Sequence, residues 1–204
     1  MRISIVSHKG GVGKTTTAVH LASWIARNLG TTLLIDGDPN RSASLWKTNG
    51  GDGLPCAVAS QTEATLLPEP FEHLVFDTKA RPEQDDLKVL AEGVDLIVIP
   101  TTPEDLAVDA AMLTVGKLRE LGSSAQYRLL VTMAPPHPQT AGVEAREALA
   151  EAGIPTFEAI VPRGVGFQKA ARAGVPVDQA PDRRASELWA SYTQVAEEAV
   201  RVVQ

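Results

Sequence analysis

The residues best suited to chemistry form one run near the start of the chain, between a predicted strand and a predicted helix. Its glycines would let successive backbone N–H groups turn inward around phosphate oxygens, and the helix would add the positive end of its dipole. A lysine followed by a threonine at this junction is the signature of a P-loop. The predicted phosphate-binding residues are Gly10, Gly11, Val12, Gly13, Lys14, Thr15 and Thr16.

The polar side chains of this run have separate expected roles. Lys14 is expected to contact the β- and γ-phosphates, Thr15 to place its hydroxyl on Mg²⁺, and Thr16 to bond the α-phosphate. A Gly-rich turn with a chance lysine is the alternative. The nine residues 8–16, at a strand-to-helix junction, argue against it. A nucleoside triphosphate with Mg²⁺ is therefore the expected ligand.

Carboxylates end two other predicted strands. Asp36 and Asp38 leave one strand end on the same side, at the edge where open α/β sheets bind ligands. There they could orient a water or support the shell of a metal ion. A turn in which aspartate is favoured beside Pro39 is the alternative. Asp77 ends the apolar strand 74–76 and matches a Walker B aspartate, which holds a Mg²⁺-bound water.

Short β-branched runs alternate with longer helical patterns along the chain. This alternation predicts an α/β fold: a single-domain P-loop NTPase over residues 1–204, with a mostly parallel twisted sheet and helices on both faces. We expect strands at 3–7, 32–36, 55–59, 74–77, 94–100, 127–133 and 157–161. We expect helices at 14–29, 42–47, 83–91, 104–121, 140–152 and 183–203.

Composition bounds the class of protein. The 204 residues are 44% hydrophobic, enough for one sizeable core. The formal net charge of −6 and the aromatic content of 4% argue against nucleic-acid binding over the whole surface and against a base-stacking platform. The one cysteine, Cys56, and the lack of room for a signal peptide predict a cytoplasmic protein. The apolar runs are too short to span a bilayer, and no membrane partner is expected.

Residues 9–16, Lys-Gly-Gly-Val-Gly-Lys-Thr-Thr, resemble the deviant Walker A motif of the ParA/MinD family of ATPases, closest to short ParA-type partition proteins (ParF-like). The resemblance implies that the nucleotide is ATP. It also implies that Lys9 reaches across a dimer interface to the partner's phosphates, in a role similar to that of an arginine finger. His8 stands where the general P-loop pattern has a glycine, and we interpret it as a loop residue rather than a base or ligand.

Segment 36–40 resembles the switch I element of the same family. The resemblance implies that Asp38 positions the attacking water and that Asp36 supports the Mg²⁺ shell. After the Walker B position, the sequence departs from the family's switch II pattern. Lys79 and Arg81 are unusual there. They could contact phosphate, a partner or water, and we favour water.

Residues 95–103, 161–163 and 174–177 also resemble the family. The loop after the last strand packs against adenine in relatives, so the resemblance makes Pro162 and Arg163 candidates for contact with the base. The chain from residue 163 onward has a local excess of positive charge, which an ATP-bound dimer would double. This basic patch could contact the DNA backbone without sequence preference. Ordinary solvated helix faces are the alternative, and the resemblance favours DNA. The basic residues concerned are Arg163, Lys169, Arg172, Arg183 and Arg184.

The resemblance implies a homodimerising, Mg²⁺-dependent ATPase that is weak without a small ParB- or ParG-like activator or cargo adaptor. It would partition or position a plasmid, a chromosome or a protein assembly on the nucleoid. A MinD-like membrane regulator is one alternative, but it needs a basic amphipathic C-terminal helix, and residues 196–204 carry adjacent acids. A P-loop ligase or kinase acting on a metabolite, like dethiobiotin synthetase, is the other. One cysteine per subunit excludes a four-thiolate iron–sulfur cluster shared by a dimer.

Overall fold

The computed structural model describes residues 1–67, 70–122 and 125–204, and strands alternate with helices along them. The strands are β1 (Arg2–Ile5), β2 (Thr32–Asp36), β3 (Ala57–Ser60), β4 (His73–Asp77), β5 (Leu96–Thr101) and β6 (Gln126–Val131). The helices are α1 (Lys14–Asn28), α2 (Ser42–Gly50), α3 (Gln61–Ala64), α4 (Gln84–Gly93), α5 (Asp105–Glu120), α6 (Ala141–Glu151), α7 (Val165–Ala173) and α8 (Ala185–Val203). A 3₁₀ turn, Val177–Gln179, lies between the last two helices.

The six strands form one parallel sheet in the order β3-β2-β4-β1-β5-β6. In this register Asp77, at the end of β4, pairs with Asp36 of β2 on one side and with Ile5 of β1 on the other. Parallel strands place their carboxyl ends at the same edge of the sheet. The carboxylates that end β2 and β4 therefore lie beside the loop that leaves β1.

Helices cover both faces of the sheet, as predicted. Side chains alternate along β5, so that Leu96 and Val98 join one core and Ile97 and Ile99 join the other. Helices α1, α2, α7 and α8 contribute to the first core, and α4, α5 and α6 contribute to the second. The predicted α/β fold with a parallel sheet between helices is confirmed.

Helix α1 presents the apolar face that its sequence predicts. Ala18, Leu21 and Ile25 are buried against the sheet, at the spacing of one helix face. Leu29, predicted on the same face, lies beyond the last helical residue and is 44% exposed. The helix that follows the phosphate loop is thus fixed to the core along its buried length.

The predicted strand 157–161 is wrong. Among the described residues, two isolated bridges join the residues on either side of this segment, Thr156 and Pro162, to β6 and the loop after it. Between them, the backbone N–H groups of Glu158 and Ala159 donate to the Glu198 carboxylate of α8, each at 2.8 Å. Because these donors are used by a side chain, they cannot form a ladder with β6.

Further differences concern the end of one helix and a short helix that is not predicted. The predicted helix 42–47 continues to Gly50. The sequence analysis does not predict α3, although its capping box is visible as Ser60 followed three residues later by Glu63. In the structure the Ser60 hydroxyl accepts the Glu63 N–H at 3.2 Å, and the Glu63 carboxylate accepts the Ser60 N–H at 2.8 Å.

Candidate nucleotide-binding site

The loop between β1 and α1 has an open, glycine-lined concave backbone. Gly11 and Gly13 have φ of 77° and 84°, values that glycine adopts at little cost. A Cβ added at Gly10 or Gly11 would meet no heavy atom within 4 Å, so the space that these glycines border is free. The Thr132 hydroxyl donates to the Val12 carbonyl at 2.9 Å, which ties the loop to the end of β6. The predicted phosphate-binding residues thus form one continuous cradle.

Lys14 and Asp38 face each other across this cradle. Lys14 is the first residue of α1, and its Nζ lies 4.0 Å from Oδ2 of Asp38. Asp38 is 7% exposed, and its Oδ1 accepts the Asn40 N–H at 2.9 Å. A cation beside a carboxylate at the start of a helix can bind a phosphate and orient a water next to it.

Thr15 and Asp77 form the second polar pair of the site. The Thr15 hydroxyl donates to Oδ2 of Asp77 at 2.6 Å. Asp77 is fully buried, and within the described parts of the chain its Oδ1 has no hydrogen-bond partner. Burial raises the pKa of Asp77 to about 7, although the Thr15 bond and the Lys14 charge act in the opposite direction. One oxygen of this buried carboxylate is therefore paired with Thr15, and the other is left without a donor among the described residues.

A divalent cation fits this pair of side chains. Across residues 1–67, 70–122 and 125–204, no cluster of three or more His, Cys, Asp or Glu side chains could hold a metal by itself. Mg²⁺ in nucleotide sites takes few protein ligands and completes its shell with waters and phosphate oxygens. The Thr15 hydroxyl beside the unpartnered Asp77 oxygen matches that donor set.

Asp36 contacts the start of α2. Its Oδ2 accepts the N–H and the hydroxyl of Ser44, at 2.8 and 2.6 Å, and its Oδ1 accepts the Asp38 N–H at 3.2 Å. A carboxylate that accepts N–H groups at a helix start acts as a cap. These bonds make Asp36 a support for α2 and for Asp38, while its part in a Mg²⁺ shell stays a prediction.

Lys9 and His8 begin the loop and point toward different neighbours. The Lys9 N–H donates to the Ser7 hydroxyl at 3.1 Å. A bond from Thr102, with the Lys9 charge as a smaller contribution, lowers the pKa of Glu104. Lys9 is thus near enough to Glu104 for its charge to act on that carboxyl. Its predicted role in a dimer stays a prediction.

His8 is anchored to α5. Its Nδ1 lies 2.8 Å from the Thr114 hydroxyl, and its Nε2 lies 3.1 Å from Nζ of Lys117. Because a lysine ammonium can only donate, Nε2 is the acceptor and the ring is neutral. Burial, followed by the charges of Lys117 and Arg81, lowers the pKa of His8. His8 is a loop residue, as interpreted from the sequence, but one that joins the phosphate loop to a helix.

Lys79 and Arg81 do not simply face water. Lys79 forms a salt bridge with Asp86 of α4 at 2.8 Å. Arg81 has φ of 56°; its N–H donates to the Ser7 carbonyl at 3.0 Å, and its Nε donates to the His8 carbonyl at 3.4 Å. The segment after Asp77 is therefore tied to the start of the phosphate loop, a link that no local sequence pattern signals.

A cavity of about 360 Å³ opens beside the start of α1. Pro162 and Arg163, the predicted base contacts, line it beside Gly13 and Thr16. Aromatic residues that the sequence analysis does not single out complete the lining. They are Trp46, Phe167 and Tyr192.

The predicted basic patch is largely neutralised by neighbouring acids. Arg163 lies 3.7 Å from Glu104, Lys169 lies 3.0 Å from Asp182, and Arg184 lies 2.7 Å from Glu187. Arg172 and Arg183 are exposed and form no salt bridge within the described residues. The structure therefore divides the patch into paired and unpaired charges.

A glycine cradle between a strand and a helix, with Lys14, Thr15 and a buried Walker B aspartate around it, defines a P-loop nucleotide-binding protein. The chain belongs to the CobQ/CobB/MinD/ParA nucleotide binding domain family (CbiA), whose profile matches residues 3–177. Maintenance of carboxysome distribution protein A from Gloeobacter kilaueensis is 35% identical over 201 residues, which are 96% of this chain and 92% of that protein.

Two further relatives extend the comparison. The chromosome-partitioning ATPase Soj of Thermus thermophilus is 27% identical, and the alignment covers 100% of this chain and 96% of Soj. The structure of the cell division protein MinD from Aquifex aeolicus has the same fold, with a TM-score of 0.76 at 17% identity, over 98% of this chain and 97% of MinD. The ParA/MinD resemblance inferred from the sequence motifs is confirmed.

Proposed function

We propose that this chain is a switch ATPase that dimerises on ATP and uses Mg²⁺-dependent hydrolysis to partition or position a cargo. The observation that carries the proposal is the convergence of two polar pairs on one glycine cradle. Lys14 Nζ lies 4.0 Å from Asp38, and the Thr15 hydroxyl lies 2.6 Å from an Asp77 carboxylate whose second oxygen is buried and unpartnered in the described chain. Family membership supports nucleotide binding.

The four side chains divide the work of hydrolysis. Backbone N–H groups of residues 10–16 wrap the triphosphate, and Lys14 contacts the β- and γ-phosphates. Thr15 and Asp77 hold the Mg²⁺ side of the nucleotide, where the ion neutralises charge on the phosphate oxygens. Asp38 orients the water that attacks the γ-phosphate. Pro162 and Arg163 contact the base from the rim of the neighbouring cavity.

Dimerisation completes the site through Lys9. Within the described residues Lys9 forms no salt bridge, so its ammonium group is available to a second subunit. In the proposed dimer it contacts the phosphates of the partner subunit and stabilises the charge of the transition state. Once the γ-phosphate has been hydrolysed and the inorganic phosphate leaves, that contact is lost and the dimer dissociates.

The relatives suggest two kinds of cargo. One is named for carboxysome distribution and another for chromosome partitioning, so the cargo of this chain is a protein assembly or a DNA molecule. A small adaptor that carries the cargo would stimulate hydrolysis. The ATP-bound dimer would hold to the nucleoid in the cytoplasm through phosphate contacts, for which Arg172 and Arg183 are the available cations.

The structure does not favour the membrane-associated alternative. In the ranges that the structure describes, none of the helices is both long and apolar enough to cross a bilayer. A peripheral anchor would need a free apolar face on α8. Instead, Val195, Ala196 and Ala199 are buried in the core, and the Glu198 carboxylate accepts two backbone N–H groups of the segment after α6. In the described part of the chain, no contact favours a metabolic ligase or kinase.

The proposal is tested by measuring mass and phosphate release together. Light scattering after size exclusion, with ATP and Mg²⁺, should show a dimer that returns to monomer as phosphate is released, and ADP should give only monomer. Asp38→Ala should remain a dimer and hydrolyse ATP about 100-fold more slowly or worse. Lys9→Ala should bind ATP without forming the dimer.

Lys88→Ala is the matched control, because Lys88 is an exposed lysine of α4 away from the cradle. It should dimerise and hydrolyse ATP as the wild-type chain does. Wild-type turnover in Asp38→Ala would remove Asp38 from the mechanism. A wild-type chain that stays monomeric in ATP and Mg²⁺ would contradict the proposal that ATP causes dimerisation.

A further inference from the structure

One wall of the cavity beside the phosphate loop belongs to the helix that follows Asp38. Trp46 of α2 is 5% exposed and lines this cavity together with Phe167 of α7. Its indole Nε1 donates to the Val175 carbonyl at 3.1 Å, and its ring lies edge-on to His20 with centroids 5.7 Å apart. A base in the cavity would therefore contact α2 as well as α7.

The start of α2 is hydrogen-bonded to the loop that carries Asp38. Asp36 accepts the N–H and hydroxyl of Ser44 with one carboxylate oxygen, at 2.8 and 2.6 Å, and the Asp38 N–H with the other, at 3.2 Å. The Arg41 N–H donates to the Asp38 carbonyl at 2.9 Å. Ser44 and Trp46 lie on one helical turn, about 3 Å apart along the axis. A displacement of Trp46 therefore displaces the hydrogen-bonded loop around Asp38.

Tyr192, which lines another side of the cavity, is joined to the phosphate-binding helix through His20. His20 of α1 is fully buried; its Nδ1 lies 2.6 Å from the Thr16 carbonyl, and its Nε2 accepts the Val177 N–H at 3.1 Å. These partners fix a neutral ring with the proton on Nδ1. The ring stacks on Tyr192 at a centroid distance of 4.7 Å. The Tyr192 side of the cavity is thus joined to the phosphate-binding helix, and the Trp46 side is joined to Asp38.

We propose that Trp46 is a positioning residue. A base that contacts Trp46 holds α2 in place, and the hydrogen bonds of Ser44 and Asp36 then hold Asp38 in the arrangement that hydrolysis requires. This inference rests on the proposed ATPase function and adds that the occupied base cavity controls the catalytic step as well as binding. Phe167 lines the same cavity from α7, which among the described residues has no hydrogen bond to the loop of Asp38. Because α7 is bonded to the far end of α2 rather than to that loop, we expect loss of the Phe167 ring to act on binding more than on the catalytic step.

The experiment measures the Kd for ATP and the single-turnover rate separately, for one variant of each of these two walls. Trp46→Phe keeps a ring but loses the Nε1 donor and part of the contact area. It should lower the rate about tenfold while changing the Kd less than about threefold. Phe167→Leu, the matched control, should raise the Kd about tenfold and leave the rate within about twofold.

A substrate without a base gives a second readout. At saturation, the wild-type chain should hydrolyse ATP at least about tenfold faster than inorganic tripolyphosphate, and Trp46→Phe should reduce that ratio. Equal wild-type rates with the two substrates would contradict the inference. So would a Trp46→Phe variant that changes only the Kd, since that is the behaviour expected of Phe167.

Asn49→Ala keeps the test decisive if Trp46→Phe does not fold by circular dichroism. The Asn49 side chain donates to the Ala171 carbonyl of α7 at 2.9 Å and does not line the cavity, so its loss loosens α2 without touching the base. It should lower the rate and leave the Kd unchanged; an unchanged rate would overturn the inference. A wild-type chain that binds ATP but never hydrolyses it would instead remove the proposed function itself.

Discussion

The phosphate side and the base side of the site are built in different ways. The phosphate side consists of backbone and charged side chains from the loop 8–16, with carboxylates at the ends of two neighbouring strands. The base side consists of aromatic and apolar surface from three helices, with Trp46, Phe167 and Tyr192 in its lining. The placement of charges determines the phosphate side, and side-chain packing determines the base side. Substitutions should therefore impair chemistry on one side and both binding and stability on the other.

The phosphate side also contains a group that is poorly accommodated without a ligand. Asp77 is fully buried with one oxygen unpartnered in the described chain, and burial raises its pKa to about 7. An unpaired buried carboxylate costs stability. Polar groups kept in such a state are typical of functional sites. The base side has the opposite character, because His20 uses both ring nitrogens in hydrogen bonds.

The largest expected effect is that of Lys14→Ala. The lysine ammonium lies at the start of α1, beside Asp38, and nothing else at that position can contact two phosphates. ATP affinity should fall by about 1000-fold or more, while the melting temperature changes little, because Lys14 makes no bond on which the core depends. Equilibrium dialysis with labelled ATP measures the loss. Retained tight binding would falsify the assignment of the phosphate loop.

A smaller effect is expected for the pair that faces Mg²⁺. Thr15→Val keeps the shape of the side chain but removes the hydroxyl that lies 2.6 Å from Asp77. Affinity for ATP with Mg²⁺ should fall about tenfold to 100-fold, and affinity for ATP in EDTA should stay unchanged. Thr16→Val is the matched control, since Thr16 is expected to contact only the α-phosphate. The ATP affinity of Thr16→Val should depend on Mg²⁺ no more strongly than the ATP affinity of the wild-type chain does.

The same contrast explains what the sequence could predict. The phosphate loop and the aspartates at 36, 38 and 77 are recognisable because local spacing and strand ends determine their chemistry. Trp46 and Phe167 are more than 100 positions apart, and only tertiary packing brings them to one cavity. Segment 157–161 has the composition of a strand, but a carboxylate from α8 accepts two of its N–H groups. Such long-range contacts leave no periodic pattern in the sequence.

His20, which packs behind the base side of the site, should make the free energy of unfolding depend on pH in the acid range. Burial lowers the pKa of His20 from its usual 6.5 to about 4. Between these values the unfolded chain binds a proton that the folded chain does not. The free energy of unfolding therefore falls as the pH decreases from about 6.5 toward 4, and the contribution of His20 is fully present above that range. The difference corresponds to roughly 3 kcal/mol.

Urea unfolding of wild type and His20→Gln at pH 7 and pH 5 measures this contribution. The variant should be less stable at pH 7, because the bonds to Thr16 and Val177 are disturbed, but it should lose less stability on acidification. His8 and Asp77, whose pKa values also shift, are present in both proteins, so the difference isolates His20. His137→Gln, at an exposed loop position, is the control and should follow the wild-type chain. Parallel pH curves for wild type and His20→Gln would contradict the assignment.

The smallest expected effect concerns the basic residues outside both sides of the site. Arg172 and Arg183 have no salt bridge within the described residues, whereas Lys169 and Arg184 are paired with acids at 3.0 and 2.7 Å. Removing the unpaired charges, Arg172→Ala with Arg183→Ala, should weaken ATP-dependent binding to random-sequence duplex DNA about threefold to tenfold. It should also reduce the salt slope by about 2 per subunit.

The matched double variant, Lys169→Ala with Arg184→Ala, removes the same formal charge but should change the affinity less than about twofold, because those cations are already neutralised. Fluorescence anisotropy over a salt series, with ATP and with ADP, measures both variants. Equal losses of DNA affinity in the two double variants would mean that the ion pairs open when DNA binds. Pairing with an acid would then not determine which cations contact DNA. A wild-type chain that binds DNA equally in ATP and ADP would separate DNA binding from the switch, because only the ATP-bound dimer doubles the patch.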